Sequence, residues 1–441
     1  MIKQLKINNF KSISKLDIKL KKLNILCGEN ASGKTSIIHS ILLCSQNNTN
    51  GKDADGEIIK IGNYEELKNN NQNGEIKISL YGDDSKKTLI YKRNDDLTLN
   101  QDNLLIVNAK NEKDFEFEKS IFYLSSIRTG VMDTYKKGNY LFGSDGAETI
   151  SFLYNHKDDL LSKKYMNLFN KNYKNSTISE NRKFIEHVRF WMEYITKENI
   201  SISSIDRTNQ YVLLYGNSRI RPINTGSGYS FLLPVVITCL GAVLLEENPT
   251  IIIENPEIFL HPEAQKKLMK FFSFCKYFCQ IIIETHSEYI IKSTVEYNKN
   301  DTNIFVAKKD ESGYTSLSKF RGNEFKTNSY LEIIYRSFGI VTPELHILLY
   351  GLLQQKFNNI NNWFESSIGQ FDTYLASLNT IQFKRWEHLY NNGSKTIYKT
   401  LPTFIRNKID HPEAKDPNTG KNYYFTDKEL KKSIDFLLAQ L

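Results

Sequence analysis

Apolar and polar positions alternate with a period of two over residues 3–8 and 15–20, which predicts two half-buried strands. Asn24-Ile25-Leu26-Cys27 predicts a short buried strand, and residues 36–43 an amphipathic helix. A polar loop follows at 46–56, and strand patterns resume at 75–81, 88–91, 103–108 and 121–124. From 148 to 197 the period becomes helical: Ile150, Leu153 and Tyr154 recur at helical spacing, as do Phe184, Val188, Trp191 and Tyr194. This predicts a helical insertion of a few short helices with a polar linker at 171–181; no heptad pattern is sustained. Strands return at 200–205 and 211–215, and a helix is expected from about 230 to 247. Thr250-Ile251-Ile252-Ile253 and Gln280-Ile281-Ile282-Ile283 read as central strands, because parallel strands buried on both faces lose their alternation. After Lys319 the pattern is mostly helical.

These elements predict an α/β fold with an all-α C-terminal domain. Residues 1–147 and 201–325 form two lobes of one head, 148–200 are the helical insertion, and 326–441 are the helical C-terminal domain. The length of 441 residues fits two or three domains, each able to bury a core. With 40% hydrophobic and 24% charged residues, the composition is that of a soluble protein. The apolar run at 230–245 is interrupted by Pro234 and Gly241, and it reads as too short for a membrane span. The opening Met1-Ile2-Lys3-Gln4-Leu5 lacks the apolar core of a signal peptide. Five cysteines carry no C-x-x-C spacing, Cys275 and Cys279 being closest, which argues for a reducing cytoplasm and against zinc. The net charge of +8 is compatible with RNA or DNA as a partner, and equally with a Lys- and Asn-biased composition.

The chemistry begins at Gly28-Glu29-Asn30-Ala31-Ser32-Gly33-Lys34-Thr35, which fits the P-loop pattern between a strand and a helix. Its glycines let backbone N–H groups turn towards phosphate oxygens, and the helix N-terminus adds its positive dipole end. Gly28, Asn30, Gly33, Lys34, Thr35 and Ser36 are therefore the candidate ATP-binding residues, with Lys34 on the β- and γ-phosphates and Thr35 on Mg²⁺. Three later stretches fit the same site. Glu254 ends a β-branched strand, where P-loop enzymes hold Mg²⁺. His286, in Glu284-Thr285-His286-Ser287, ends another strand within reach of a γ-phosphate. Asn224-Thr225-Gly226-Ser227-Gly228-Tyr229-Ser230 reads as a second phosphate-binding turn before a helix.

In this order the motifs resemble the RecF-like and ABC-type ATPases, which include the structural-maintenance-of-chromosomes (SMC) heads, the overcoming-lysogenization-defect nucleases and many phage-defence ATPases. Asn8-Asn9-Phe10-Lys11-Ser12 is similar to their opening motif, Thr225 to Ser230 to their signature turn, residues 253–262 to their Walker B and D-loop region, and His286 to their switch histidine. The likeness covers residues 1 to about 320. It implies a homodimer, or a higher oligomer, in which ATP on one P-loop is capped by Ser227, Gly228 and Ser230 of another copy. Where transport-type relatives end this strand Asp-Glu, this chain has Glu254-Asn255. Asn cannot accept a proton, so Glu257 becomes the candidate for activating water, and hydrolysis is expected to be slow. Arg128 reads as a surface residue, with a site contact as the alternative.

In the C-terminal region, Arg406-Asn407-Lys408-Ile409-Asp410-His411 resembles the R-x(4–6)-H motif of HEPN ribonucleases. In that chemistry a histidine moves protons and an arginine stabilises charge on phosphorus, without a metal. Arg and His near a helix end also simply favour its negative dipole end. Three functions remain open at this point: an ATP-gated antiviral ribonuclease, a defence ATPase that scaffolds or regulates a separate effector nuclease, and a RecF-like DNA-repair ATPase. All three are cytoplasmic, with no membrane partner.

Overall fold

The two isoleucine runs become neighbouring strands. In the computed structural model, Thr250–Glu254 and Gln280–Glu284 pair in parallel, with Ile252 opposite Ile282 and Glu254 opposite Glu284. The P-loop strand Leu23–Gly28 lies on the other side of Gln280–Glu284, and Ile121–Leu124 lies beyond Thr250–Glu254. Thr302–Lys309 extends the sheet in parallel past the P-loop strand, and Thr315–Lys319 closes it as an antiparallel edge. The six isoleucines of the two central strands are at most 1% exposed. Burying each contributes about 1.5–3 kcal/mol, which is why neither strand alternates.

The structure describes residues 1–47, 55–62, 64–69, 74–83, 85–93, 105–112, 120–130, 142–174, 176, 178, 181–198, 200–205, 210–215, 218–220, 224, 226–298, 301–362, 364–378, 382–390, 393–416 and 419–441. It divides into two compact units, Met1–Phe320 and Arg321–Leu441.

In the first unit the alternating N-terminal strands form a second, antiparallel sheet in the order Ile13–Lys19, Gln4–Phe10, Ile76–Tyr81, Lys86–Arg93, Leu105–Glu112. The P-loop helix Lys34–Gln46 packs against strands of both sheets. One core therefore joins Leu5, Ile7, Ile38, Ile41, Ile78 and Ile252. A small antiparallel sheet contains Ile200–Ile205, Gln210–Tyr215 and Ser218–Ile220. The insertion folds as Thr149–His156, Lys163–Asn172 and Phe184–Thr196. Its fully buried Trp191 donates to the Tyr165 hydroxyl at 3.1 Å and packs against Phe274 of the helix Pro262–Cys275.

The helix Ser227–Leu245 runs unbroken through Pro234 for 19 residues, with a mean hydropathy of 2.1. The interruption expected from sequence does not occur, so by length and composition alone the helix could cross a bilayer. It is instead a core helix here, packed against Thr149–His156, Phe184–Thr196 and the strands Ile121–Leu124 and Thr250–Glu254. Gly241 makes this fit possible: a Cβ there would stand 2.7 Å from the ring of Phe152 and 2.9 Å from that of Phe142. All five cysteines are buried and free.

The second unit is helical: Tyr330–Phe338, Pro343–Ile360, Ile368–Ser377, Leu401–Asp410 and Asp427–Gln440 bury Leu345, Leu349, Phe371, Ile405 and Ile434. The capping box expected at Thr426 and Glu429 opens the last helix. One element was not read from sequence, the antiparallel pair Phe383–Tyr390 and Gly393–Thr400. Trp386 sits opposite Ile397 in that pair and is buried against Phe404, so only part of the segment carries an apolar signal.

Candidate functional site

The P-loop needs both of its bounding glycines. Gly28 has φ 144° and Gly33 φ 99°; a Cβ would fall 2.2 Å from the Ala307 carbonyl oxygen in the first case and 2.1 Å from Thr315 Oγ1 in the second. A side chain at either position would be strained. Gly33 is the N-cap of the helix that begins at Lys34. The Lys34 side chain folds back and donates to the carbonyl oxygens of Gly28 at 3.0 Å and Glu29 at 2.8 Å. Burial lowers its pKa, opposed by the nearby Glu284 carboxylate. A cavity of about 830 Å³ opens over this loop, and Asn30, Gly33, Lys34, Thr35 and Ser36 line it together with Asn255, Glu284 and His286.

The two strand-end glutamates are used differently. Thr35 Oγ1 donates to Glu284, at 3.0 Å from Oε2 and 3.3 Å from Oε1. Lys34 Nζ stands 3.8 Å from the same carboxylate. Burial, with the Glu254 charge next, pushes the Glu284 carboxyl up to about 7. Glu254, expected beside Thr35 as metal ligand, lies one strand further from the P-loop, because Gln280–Glu284 runs between them. Its carboxylate accepts from the Tyr123 hydroxyl at 3.1 Å and the Ser126 amide at 3.1 Å. The signal for Glu284 was present in the sequence: both strands read x-Ile-Ile-Ile-Glu, so both end in a carboxylate at the same level.

Glu257 joins the switch segment rather than the cavity lining. Its Oε1 accepts from the Thr285 hydroxyl at 2.7 Å and from the His286 amide at 2.8 Å. Its Oε2 is buried without a hydrogen-bond partner among the described residues, and burial raises its pKa. Partial burial and then the Lys34 charge lower the pKa of His286. Ser287 is the N-cap of the helix Glu288–Tyr297, and His261 that of Pro262–Cys275.

Arg128 is not a surface residue. It is 5% exposed and donates to the carbonyl oxygens of Ser125 at 3.0 Å, Glu254 at 2.8 Å and Asn255 at 2.6 Å. Carbonyls at the C-terminal ends of buried strands need donors, and a guanidinium supplies several in one plane. Burial lowers its pKa to about 10, against the pull of Glu257 and Glu254.

The signature turn proves to be the first turn of a helix. Ser227, Gly228 and Ser230 lie within Ser227–Leu245, with Gly226 as the N-cap; Thr225 lies outside the described residues. A helix start three residues earlier than expected follows from the extended Gly226, which has φ −57° and ψ 140°. The three residues are not among those lining the P-loop cavity. Phe231 packs on Phe259, which is 63% exposed, with ring centroids 4.9 Å apart.

In the second unit, Arg406 lies on the helix Leu401–Asp410 and His411 is its C-cap. The Arg406 guanidinium pairs with Asp410 at 2.7 Å and donates to Asn407 Oδ1 at 3.2 Å. His411 is exposed, with Nδ1 3.7 Å from a Glu413 oxygen.

The donor set in the first unit fits a nucleotide with a hard cation. A threonine hydroxyl and a carboxylate suit Mg²⁺, and a lysine beside an open helix N-terminus suits phosphates. Asn255 Oδ1, in the same cavity lining, is buried without a partner among the described residues.

Short stretches of this chain are similar to the DNA replication and repair protein RecF: 43% identity over 60 residues in Clostridium acetobutylicum and 42% over 65 residues in Clostridium kluyveri. These matches cover 13% and 14% of this chain and 16% and 18% of those proteins, so less than a fifth of each RecF is spanned. Among solved structures, the SMC head domain from Thermotoga maritima superposes with a TM-score of 0.39 at 10% identity, covering 72% of this chain and 98% of that one. The Smc head domain with an extended coiled coil, bound to the C-terminal domain of ScpA derived from Pyrococcus furiosus, gives 0.42 at 14% identity, covering 72% and 96%. A family model matches residues 23–292, more than half of the chain and every P-loop, strand-end and switch residue described above. The chain therefore belongs to the ATPase family described as "AAA domain, putative AbiEii toxin, Type IV TA system".

Proposed function

We propose that this chain is an ATP-binding, slowly hydrolysing switch of antiviral defence that works as a dimer of heads. The observation that carries the reading is the cavity in which Lys34, Thr35 and Glu284 meet Asn255. Asn255 stands where a strong base is expected, and it cannot take a proton. Glu257, with one carboxylate oxygen buried and unpartnered, is the remaining group for activating water. Slow turnover makes bound ATP a clamp, with Ser227, Gly228 and Ser230 of a second copy closing over the γ-phosphate. The words "toxin" and "TA system" in the family description support a defence role. The RecF-like repair role rests on much shorter stretches.

For the second unit we take docking of a separate effector as the leading role, because Arg406 is already engaged by Asp410. A HEPN-like ribonuclease is the second reading, favoured by an exposed His411 at a helix end. Light scattering of the purified protein with Mg²⁺ and a non-hydrolysable ATP analogue tests the switch. The mass should double, and Ser227→Arg should block the doubling while leaving nucleotide binding intact. A mass that ignores nucleotide overturns the dimeric switch. RNA cleavage that is lost in His411→Ala would move the second unit from docking to catalysis.

A further inference from the structure

We propose that the outer face of the N-terminal antiparallel sheet binds the phosphate backbone of double-stranded nucleic acid, by charge and without reading its sequence.

The sheet has two unlike faces. Leu5, Ile7, Ile18, Ile78 and Leu80 belong to the core that also holds the P-loop helix. Side chains alternate along a strand, so the residues between them share the opposite face. There the register puts Lys19, Gln4, Tyr81 and Lys86 in one row and Lys15, Asn8 and Lys77 in another, with Lys6 in the row between. Lys92 follows on the same face of Lys86–Arg93. On the four strands Ile13–Lys19, Gln4–Phe10, Ile76–Tyr81 and Lys86–Arg93, this face therefore carries six lysines and one carboxylate, Asp17. Lys6 pairs with Asp17 at 3.2 Å, and Lys92 pairs with Glu75, just before its strand. Lys15, Lys19 and Lys77 are exposed and form no ion pair among the described residues. The charge continues past the sheet edge: burial, and then the charges of Lys21 and Lys19, lower the pKa of Lys319 on the adjacent strand Thr315–Lys319. Like charges gathered on one face oppose the compact state, and a polyanion laid across them relieves that cost.

The chemistry of the face selects the partner. Tyr81, the one ring that these four strands place on it, lies 5.5 Å from Lys6 Nζ and 5.8 Å from Lys86 Nζ. A ring already taken by two cations is poorly placed to stack on an unpaired base, so the contact offered is to backbone phosphates rather than to the bases of a single strand. None of the large apolar side chains exposed among the described residues lies on these strands. A protein partner would find no anchor there, and a bilayer no residue to insert. The size also fits. Four strands span about 14 Å, and seven residues along a strand about 23 Å. A duplex carries one charge per about 1.7 Å of axis, so it meets this face with more phosphates than the face has lysines.

This binding needs no nucleotide, so its test stands apart from the switch reading. The test follows the anisotropy of a fluorescein-labelled DNA duplex on the full chain, in EDTA and without nucleotide, across a salt series. Binding should weaken steeply with salt, and an unlabelled duplex of unrelated sequence should compete equally. The triple variant Lys15→Ala, Lys19→Ala, Lys77→Ala should bind about tenfold or more weakly, with the slope of log K against log salt reduced by about 2–3. Its three changed side chains are exposed, so its melting temperature should match the parent's. Lys428→Ala with Lys431→Ala, exposed on the helix Asp427–Gln440, should keep the affinity to within about threefold. A parent that binds no duplex, a triple variant with the parent's affinity and slope, or a control that loses as much as the triple variant overturns the proposal. Tighter binding of a single strand of the same length overturns it too. Each of these outcomes leaves the nucleotide reading standing.

Discussion

The Arg128 guanidinium donates to the main-chain oxygen of Asn255 at 2.6 Å. Its other terminal nitrogen reaches the carbonyls of Ser125 and Glu254. Asn255 itself has φ 43°, a left-handed conformation that asparagine tolerates better than most residues. The turn that carries Asn255 and Glu257 is thus held from outside, by an arginine at the end of the neighbouring strand.

Arg128→Ala removes donors to three carbonyls in a water-poor setting. It should lower stability by about 2–4 kcal/mol, read from urea unfolding, and Arg128→Lys should recover only part of that, because an ammonium lacks the planar fork. An unchanged urea midpoint in Arg128→Ala would remove the anchoring role.

Glu257→Gln keeps an acceptor for Thr285 and the His286 amide but cannot take a proton from water. Steady-state ATP hydrolysis should fall by roughly 10²-fold, the scale of a lost general base, while nucleotide affinity changes little. Comparable hydrolysis in Glu257→Gln and the parent would leave the clamp without this base.

The P-loop, the central strands and the switch segment were legible because each is written locally. Gly28 to Thr35 is a contiguous pattern, and two Ile-rich runs can only be interior strands. What the sequence hid depends on which strands become neighbours. Nothing local indicates that Gln280–Glu284 separates the P-loop strand from Thr250–Glu254, so the hydrogen bond between Thr35 and Glu284 is not legible in the sequence. Arg128 was misread for the same reason: its three acceptors lie on residues 125, 254 and 255. The strand Thr302–Lys309 and the edge strand Thr315–Lys319 are not legible because they follow a polar stretch, although Thr315 fixes the P-loop by donating to the Ser32 carbonyl at 3.0 Å.

That contact yields a further prediction. Gly33→Ala places a methyl group 2.1 Å from Thr315 Oγ1, at a φ of 99° that alanine resists. The variant should lose about 1–3 kcal/mol of stability, and its melting temperature should no longer rise on adding nucleotide. A nucleotide-dependent rise equal to the parent's would show that the loop can shift to accept a side chain.

The second unit carries its own pH dependence in His346. The imidazole is fully buried on the helix Pro343–Ile360, with Nε2 3.0 Å from Ser433 Oγ and Nδ1 without a partner among the described residues. Burial lowers its pKa to about 3 from the ordinary 6.5. Above 6.5 the ring is neutral whether folded or unfolded, and its titration contributes nothing to stability. As the pH falls below 6.5 the unfolded chain takes a proton that the folded unit refuses, so stability drops until the folded pKa is reached. By linkage the loss is about 2 kcal/mol at pH 5. Hydrogen exchange of Pro343–Ile360 and Asp427–Gln440, corrected for the intrinsic effect of pH, should therefore report weaker protection at pH 5 than at pH 7.5. His346→Gln, which keeps a partner for Ser433 and cannot titrate, should flatten that difference by more than half; parent and variant losing protection in parallel would exclude His346 as its source.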